Sequence, residues 1–279
     1  MSFKTIVVHL NDQRRASQLL APATALAAHF SAHLVGLHVF PGIPPVPAIA
    51  VPYSGEVIAD ALAGERVETE RIRTLFEEAT RGRPFVAEWR ADKALHLDLA
   101  GVVMEHGRAA DLIVAAQADP EWELAPVLDF PERLALESGR PVLTVPYAGR
   151  FESVPRRVVI AWDGRREAAR AAFDALPLLA VAEVVTILTI ARPGAVARNE
   201  TPDLSLAAAL ARHGIKANVK QSVTAGMEVG EELLSRLADL GADLLVMGAY
   251  GHSRMRELVF GGATRHISRH MTVPTLFSH

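Results

Sequence analysis

The feature that most constrains this 279-residue chain is an internal repeat. Its first half opens KTIVVHLNDQRRASQLLAPATALAAHFSAHLVGLHVF, and its second opens RRVVIAWDGRREAARAAFDALPLLAVAEVVTILTIAR. Each reads as an apolar run, an Asp-x-Arg-Arg turn, an Ala/Leu-rich helical stretch and a second apolar run. Asp12, Arg14 and Arg15 correspond to Asp163, Arg165 and Arg166. Further on, RAADLIVAAQ from Arg108 matches LGADLLVMGAY from Leu240, and RPVLTVP from Arg140 matches TVPTLFSH from Thr272. The offset falls from 151 residues to 132 and 133, so the first half carries about 19 extra residues, with the Pro-rich loop Pro41–Pro52 among them. Length alone favours two domains. The repeat makes them two copies of one fold, residues 1–149 and 150–279, joined near Tyr147–Pro155.

Short β-branched runs alternate with longer helical stretches in each copy. In the second copy the expected strands are Arg157–Ala161, Val184–Ala191, Ala217–Thr224, Asp243–Gly248 and Pro274–Phe277. The expected helices are Arg166–Leu179, Ser205–His213, Val229–Leu240 and Ala263–His270. The strands read as apolar throughout, the pattern of a sheet covered by helices on both faces. Alternating strands and helices predict an α/β fold, a doubly wound parallel sheet with right-handed crossovers. Ligands in such folds bind beyond the carboxyl ends of the strands.

Composition closes off several chemistries. There is no cysteine, which excludes a disulfide framework, a thiolate nucleophile and any Cys-ligated metal. Aromatic residues make up 6%, so the core must come from Val, Leu, Ile and Ala. Net charge is −3, split into about −5 for residues 1–150 and +2 for the rest. Neither value supplies the basic field that nucleic acid or an anionic membrane requires. The start, Met1-Ser2-Phe3-Lys4, lacks a signal-peptide pattern, and no segment approaches the ~20 apolar residues of a membrane span. A cytoplasmic protein is the expectation, with partners other than nucleic acid or membrane.

One loop carries chemistry. After the strand DLLVM come Gly248-Ala249-Tyr250-Gly251, nine residues, and then Gly261-Gly262-Ala263-Thr264 leading into a helix. Glycine after a strand permits positive φ and close approach of a ligand to the backbone. A glycine pair opening a helix leaves N–H groups free at the positive end of its dipole, a ready phosphate site. Thr264 can cap that helix or offer a hydroxyl, and Arg254 and Arg256 add positive charge. The same glycines also suit a plain αβ turn. The loop is neither a Walker A sequence nor a GxGxxG fingerprint.

The spacing Gly248-x2-Gly251-x9-Gly261 resembles the nucleotide-binding pattern of universal stress proteins, G-x2-G-x9-G-[S/T]. The strand-Asp opening, the Ala-Asp-Leu strand and the closing Val-Pro strand are similar too, and they occur twice. The resemblance implies two adenine nucleotide alpha hydrolase-like domains whose final strands, Pro141–Val145 and Pro274–Phe277, pair into an internal pseudo-dimer; a homodimer of such chains is compatible with it. It implies ATP in the second domain, with or without Mg2+. Asp163 would face the ribose or adenine side, with Ala161 and Trp162 beside it, and Ile190 would offer backbone groups to the adenine. Met247, Gly248, Gly251, Gly261, Gly262 and Ala263 would line the ribose and phosphates, joined by His252, Ser253 and Thr264. Gly262 stands where the pattern has Ser/Thr, removing one hydroxyl ligand worth about 1.5–3 kcal/mol. In the first domain Ala116 and Asp119 replace the first two glycines, and Asp129 and Phe130 stand at the last pair. Carboxylates repel phosphate, so this copy is not expected to bind ATP.

Other candidates carry plainer readings. Asp163 can simply cap the next helix or bond the Arg165–Arg166 turn. His266 and His270, like His29 and His33, stand i, i+4 as if each pair shared a helix, without a third metal ligand placed by sequence. His252 lacks an orienting partner for base catalysis, and Ser253 lies in no GxSxG elbow. Asp60 to Glu78 reads as a helix with a solvated charged face. No catalytic or metal site is expected. The function implied is a stress-response regulator that binds ATP in its second domain with little or no turnover. The alternatives are a ligand-free module for protein partners not yet identified, and a slow ATP hydrolase.

Overall fold

The computed structural model describes residues 2–41, 55–94, 98–119, 121, 130–191, 204–224, 226–249 and 262–279, with the backbone only for residues 55–61. The Pro41–Pro52 loop, apart from Pro41, lies outside the described residues.

The first half runs β1 (Thr5–His9), α1 (Gln13–Phe30), β2 (His33–Pro41), α2 (Gly55–Thr80), β3 (Ala87–Ala94), α3 (Leu99–Gly107), β4 (Leu112–Ala116), α4 (Pro131–Glu137) and β5 (Val142–Val145). The second runs β6 (Arg157–Ala161), α5 (Arg166–Asp174), α6 (Leu176–Leu179), β7 (Val184–Ala191), α7 (Ser205–Arg212), β8 (Ala217–Val223), α8 (Val229–Asp239), β9 (Leu244–Gly248), α9 (Gly262–His270) and β10 (Thr275–Ser278).

Local chemistry sets the boundaries. Asp12 caps α1 by accepting from the Arg14 N–H at 2.6 Å. The helix ends at Ser31, which adopts the left-handed conformation with φ 50°. His29 therefore closes α1 while His33 opens β2, so the two do not share a helical face. The stretch expected as one helix, Arg166–Leu179, is two helices. Pro177 has no N–H to continue the ladder, and the chain re-forms a turn through Leu178 N–H to Ala175 O at 2.8 Å.

The ten strands among the described residues join one sheet in the order β3-β2-β1-β4-β5-β10-β9-β6-β7-β8. The first run, 3-2-1-4-5, recurs inward from the opposite edge as 8-7-6-9-10. Neighbours are parallel except at the centre, where β5 and β10 pair antiparallel through Thr144–Thr275, Leu143–Leu276 and Val142–Phe277. The carboxyl ends of β1–β5 and of β6–β10 therefore open at opposite edges of the sheet. Edge strand β8, Ala-Asn-Val-Lys-Gln-Ser-Val, is largely solvated rather than apolar throughout, because only one neighbour and one helix cover it.

Each sheet face has its own core. Leu19, Phe76, Ala171, Leu178 and Leu210 bring α1, α2, α5, α6 and α7 to one face. Val103, Leu134, Leu233 and Ile267 bring α3, α4, α8 and α9 to the other. The extra length of the first half lies partly in α2, 26 residues against eight in α7. Across the seam, fully buried Gln117 donates to Ser268 O at 3.0 Å and accepts from the Tyr147 N–H at 3.1 Å. Among the described residues, no helix is long and apolar enough to cross a membrane.

Leu276 and Leu143 are completely or nearly completely buried at the seam. Leu276→Ala is expected to destabilise the chain by about 2–5 kcal/mol, read from urea unfolding followed by circular dichroism.

Candidate functional site

The carboxyl edge of β6, β7 and β9 brings together the described residues singled out from the sequence. Ala161 ends β6 and packs against the α8–α9 core, whereas Trp162 turns to the opposite core. The Trp162 N–H bonds Leu188 O at 2.9 Å, locking the turn onto β7. Ile190, half-buried near the end of β7, shares the α8–α9 face with Ala161. Met247 is buried and Gly248 ends β9. Gly262 begins α9 and is exposed, Ala263 is half-buried and Thr264 is buried. Gly251, His252, Ser253 and Gly261 lie outside the described residues.

Asp163 is exposed, and its carboxylate is engaged locally. It accepts from the Arg165 N–H at 3.0 Å and lies 3.7 Å from Arg165 Nε. Arg165, not Asp163, occupies the cap position of α5. The counterpart in the first half differs. Asp12 is buried, caps α1 directly and is held by Arg14 through Nε at 2.8 Å and Nη2 at 2.7 Å.

The two described glycines have different reasons to be glycine. Gly248 does not use positive φ. A Cβ there would stand 2.5 Å from the Glu167 carbonyl carbon and 2.6 Å from the Ala168 nitrogen. The close approach permitted by this glycine is made by the backbone of α5. Among the described residues, the nearest group to a Cβ on Gly262 is Glu228 Oε2 at 4.0 Å. Gly262 stands in the first turn of α9, where backbone N–H groups lack helical partners.

Two side chains at this edge were missed from the sequence, His279 and Glu167. His279 Nδ1 bonds Ala249 O at 2.8 Å, and the Ala249 N–H bonds Ser278 O at 2.8 Å. Glu167 is buried beneath Gly248 and paired with Arg166. Burial pulls its carboxyl upward, but the Arg166 hydrogen bond, a backbone hydrogen bond and the charges of Arg166 and His279 outweigh this and hold it below the usual carboxylate value. Only proximity in the fold, at the end of the adjacent strand β10, brings His279 here. No sequence spacing could have reported it.

At the opposite edge, the first half buries a polar set: His9, Asn11, Asp12, Arg15, His38 and Gln117. Among the described residues His9 Nε2 has no hydrogen-bond partner, and the Phe130 ring lies 5.2 Å from the imidazole. Burial, reinforced by the charge of His38, pushes His9 down to about 3, so its ring is neutral. On α9, the His266 and His270 rings are 4.7 Å apart, and His266 packs where a Cβ on Gly230 would fall. No group of three or more metal-binding side chains forms among the described residues.

Residues 155–279 match the model of the universal stress protein family, and this part of the chain is a domain of that family. A universal stress protein of Synechocystis sp. is 29% identical over 152 residues, 52% of this chain and 49% of that protein. The match thus spans about half the length of this curated relative. The crystal structure of a universal stress protein from Archaeoglobus fulgidus superposes with a TM-score of 0.70 at 15% identity, over 98% of this chain and 95% of that one. A protein of unknown function from Pseudomonas aeruginosa PAO1 gives 0.55 at 14% identity, over 99% and 92%. The fold of these two structures therefore covers nearly the whole chain, both strand runs included.

Two outcomes follow from this geometry. Gly248→Ala forces Cβ into the α5 backbone and is expected to cost about 1–3 kcal/mol, measured by chemical denaturation. His9 holds fewer protons folded than unfolded between about pH 3 and its ordinary value near 6.5, so stability present above that window is lost as the pH falls through it. His9→Gln is expected to flatten this acid dependence in thermal melts recorded across the window.

Proposed function

We propose that the chain is a tandem universal stress protein, residues 1–149 and 150–279, that binds ATP in its second domain and acts by binding rather than turnover. The observation that carries this reading is the first turn of α9 at exposed Gly262, set at the same carboxyl edge as Asp163, Ala161 and Ile190. The N–H groups of a helix's first turn suit phosphate oxygens, while the half-buried Ala161 and Ile190 offer an apolar wall to an adenine. Glu228 Oε2 lies beside that turn and opposes a bare triphosphate. The Mg2+ complex, carrying less negative charge, fits better. The β5–β10 pairing supports an internal pseudo-dimer. The first domain serves as its support, because Asp12 and Arg14 fill the counterpart of the Asp163 position with their own ion pair.

Equilibrium dialysis of the whole chain against ATP, with and without Mg2+, tests the reading. Gly262→Ser restores a hydroxyl at the first turn of α9 and is expected to tighten binding about tenfold or more. Asp12→Asn, in the first domain, is expected to leave it unchanged. Complete absence of bound adenine nucleotide at millimolar ATP would overturn the proposal.

One observation favours the rival, a ligand-free interaction module. Gly248 is fully accounted for by helix packing and needs no nucleotide. Gly251→Val and Gly261→Val separate the two readings. Loss of nucleotide binding in a still-folded chain supports the first, and a small stability change alone supports the second.

A further inference from the structure

The buried polar set of the first half contains an arrangement that the nucleotide reading does not use. His38, near the carboxyl end of β2, is almost fully enclosed, with its side chain 3% exposed. Its Nδ1 lies 2.7 Å from the Leu10 carbonyl oxygen at the end of β1, and its Nε2 lies 3.4 Å from Glu65 Oε1 on α2. Both partners are acceptors. A neutral imidazole carries one N–H and can satisfy only one of them; the imidazolium donates to both. The geometry is therefore complete only when His38 carries two protons, with Glu65 as counter-ion.

Glu68, one helical turn further along α2, makes a second attachment. It accepts from the Gln13 N–H, the first residue of α1, at 2.9 Å. An acidic side chain on a helix amino terminus is favourable, and this attachment does not involve His38. The turn of α2 bearing Glu65 and Glu68 is thus fastened across the carboxyl edge of β1 and β2 at two points, one conditional on a proton. The lower part of α2 is held differently, by Ile72 and Phe76 buried in the core.

We propose that this turn of α2 is a proton-controlled latch over the first-half crevice, closed when His38 is protonated and loosened when it is not. The groups around His38 fit that role. The His9 ring on β1 is neutral, so no second imidazolium stands beside His38. The Phe40 ring stacks on His38 at 5.8 Å. Nearby, Asp12 is committed to Arg14, whose cation also feels Asp119 and Glu68. Glu65 is left as the carboxylate facing His38. Deprotonating His38 turns the Nε2–Glu65 contact into lone pair against carboxylate, which releases that end of the turn while Leu10 O keeps its hydrogen bond.

Amide hydrogen exchange of the full chain at about pH 6 and about pH 9, corrected for intrinsic exchange, tests the latch. Protection across residues 62–71 is expected to fall about tenfold at the higher pH, the scale of one hydrogen bond to a charged group. Protection in α8 is expected to stay constant. In Glu65→Gln the amide can accept from a protonated ring or donate to a neutral one, so the pH dependence should vanish. In Glu68→Gln, protection should be lower at both pH values with the dependence kept. A wild-type α2 indifferent to pH overturns the latch. So does a dependence that persists in Glu65→Gln, or an equal loss in α8, which marks global loosening instead.

Discussion

The antiparallel pairing of β5 with β10 is the constraint on which the rest of the structure depends. Each run of five strands would otherwise end in an exposed edge lined by unpaired backbone groups. Joining the two edges makes one ten-stranded sheet, buries Leu143 and Leu276 at its centre and removes the most apolar edges from water. The edges left over are β3 and β8. On β3, Glu88 pairs with Arg90 and His33, and Asp92 pairs with His106; on β8, Lys220 and Gln221 face solvent. The apolar strands thus lie inside and the charged ones outside, as edge protection requires.

Much of this was legible from residue order. The apolar runs marked Arg157–Ala161 and Val184–Ala191 to the residue, because buried parallel strands bounded by charge and glycine leave an unambiguous pattern. The pairing of the last strand of each half followed from family likeness, not from any local signal. Legibility failed where a single residue changed the local rule. Pro177 split an otherwise helical stretch, and the left-handed Ser31 turned His33 out of α1 into β2. Edge strand β8 lost its apolar character because it has a neighbour on one side only.

At the candidate site, the sequence singled out Gly248 and Gly262 but not what surrounds them. Gly248 stood out as a glycine after a strand, yet its lack of a Cβ is required by the α5 backbone. Gly262 looked like a deficiency in a motif, yet among the described residues nothing comes closer than 4.0 Å to where its Cβ would stand. Asp12 and Asp163 occupy matching places in the repeat and lead different lives, one buried as a cap and the other exposed beside Arg165. Sequence identity at a repeated position reports a shared backbone turn. It does not report how much water reaches the side chain, which depends on neighbours from other elements.

The opposed carboxyl edges have a consequence for how such a chain can change. In an assembly of two identical subunits, any substitution appears at both crevices at once. Here the two carboxyl edges belong to one covalent chain and open in opposite directions, so a substitution at one leaves the other as it was. The first half has filled its edge with His9, His38, Gln117 and Arg15, while the second kept small residues at Ala161, Gly248 and Gly262. Within one chain the two halves are under no obligation to be alike. What remains shared is the Leu143–Leu276 seam, where a change in either half is felt by both.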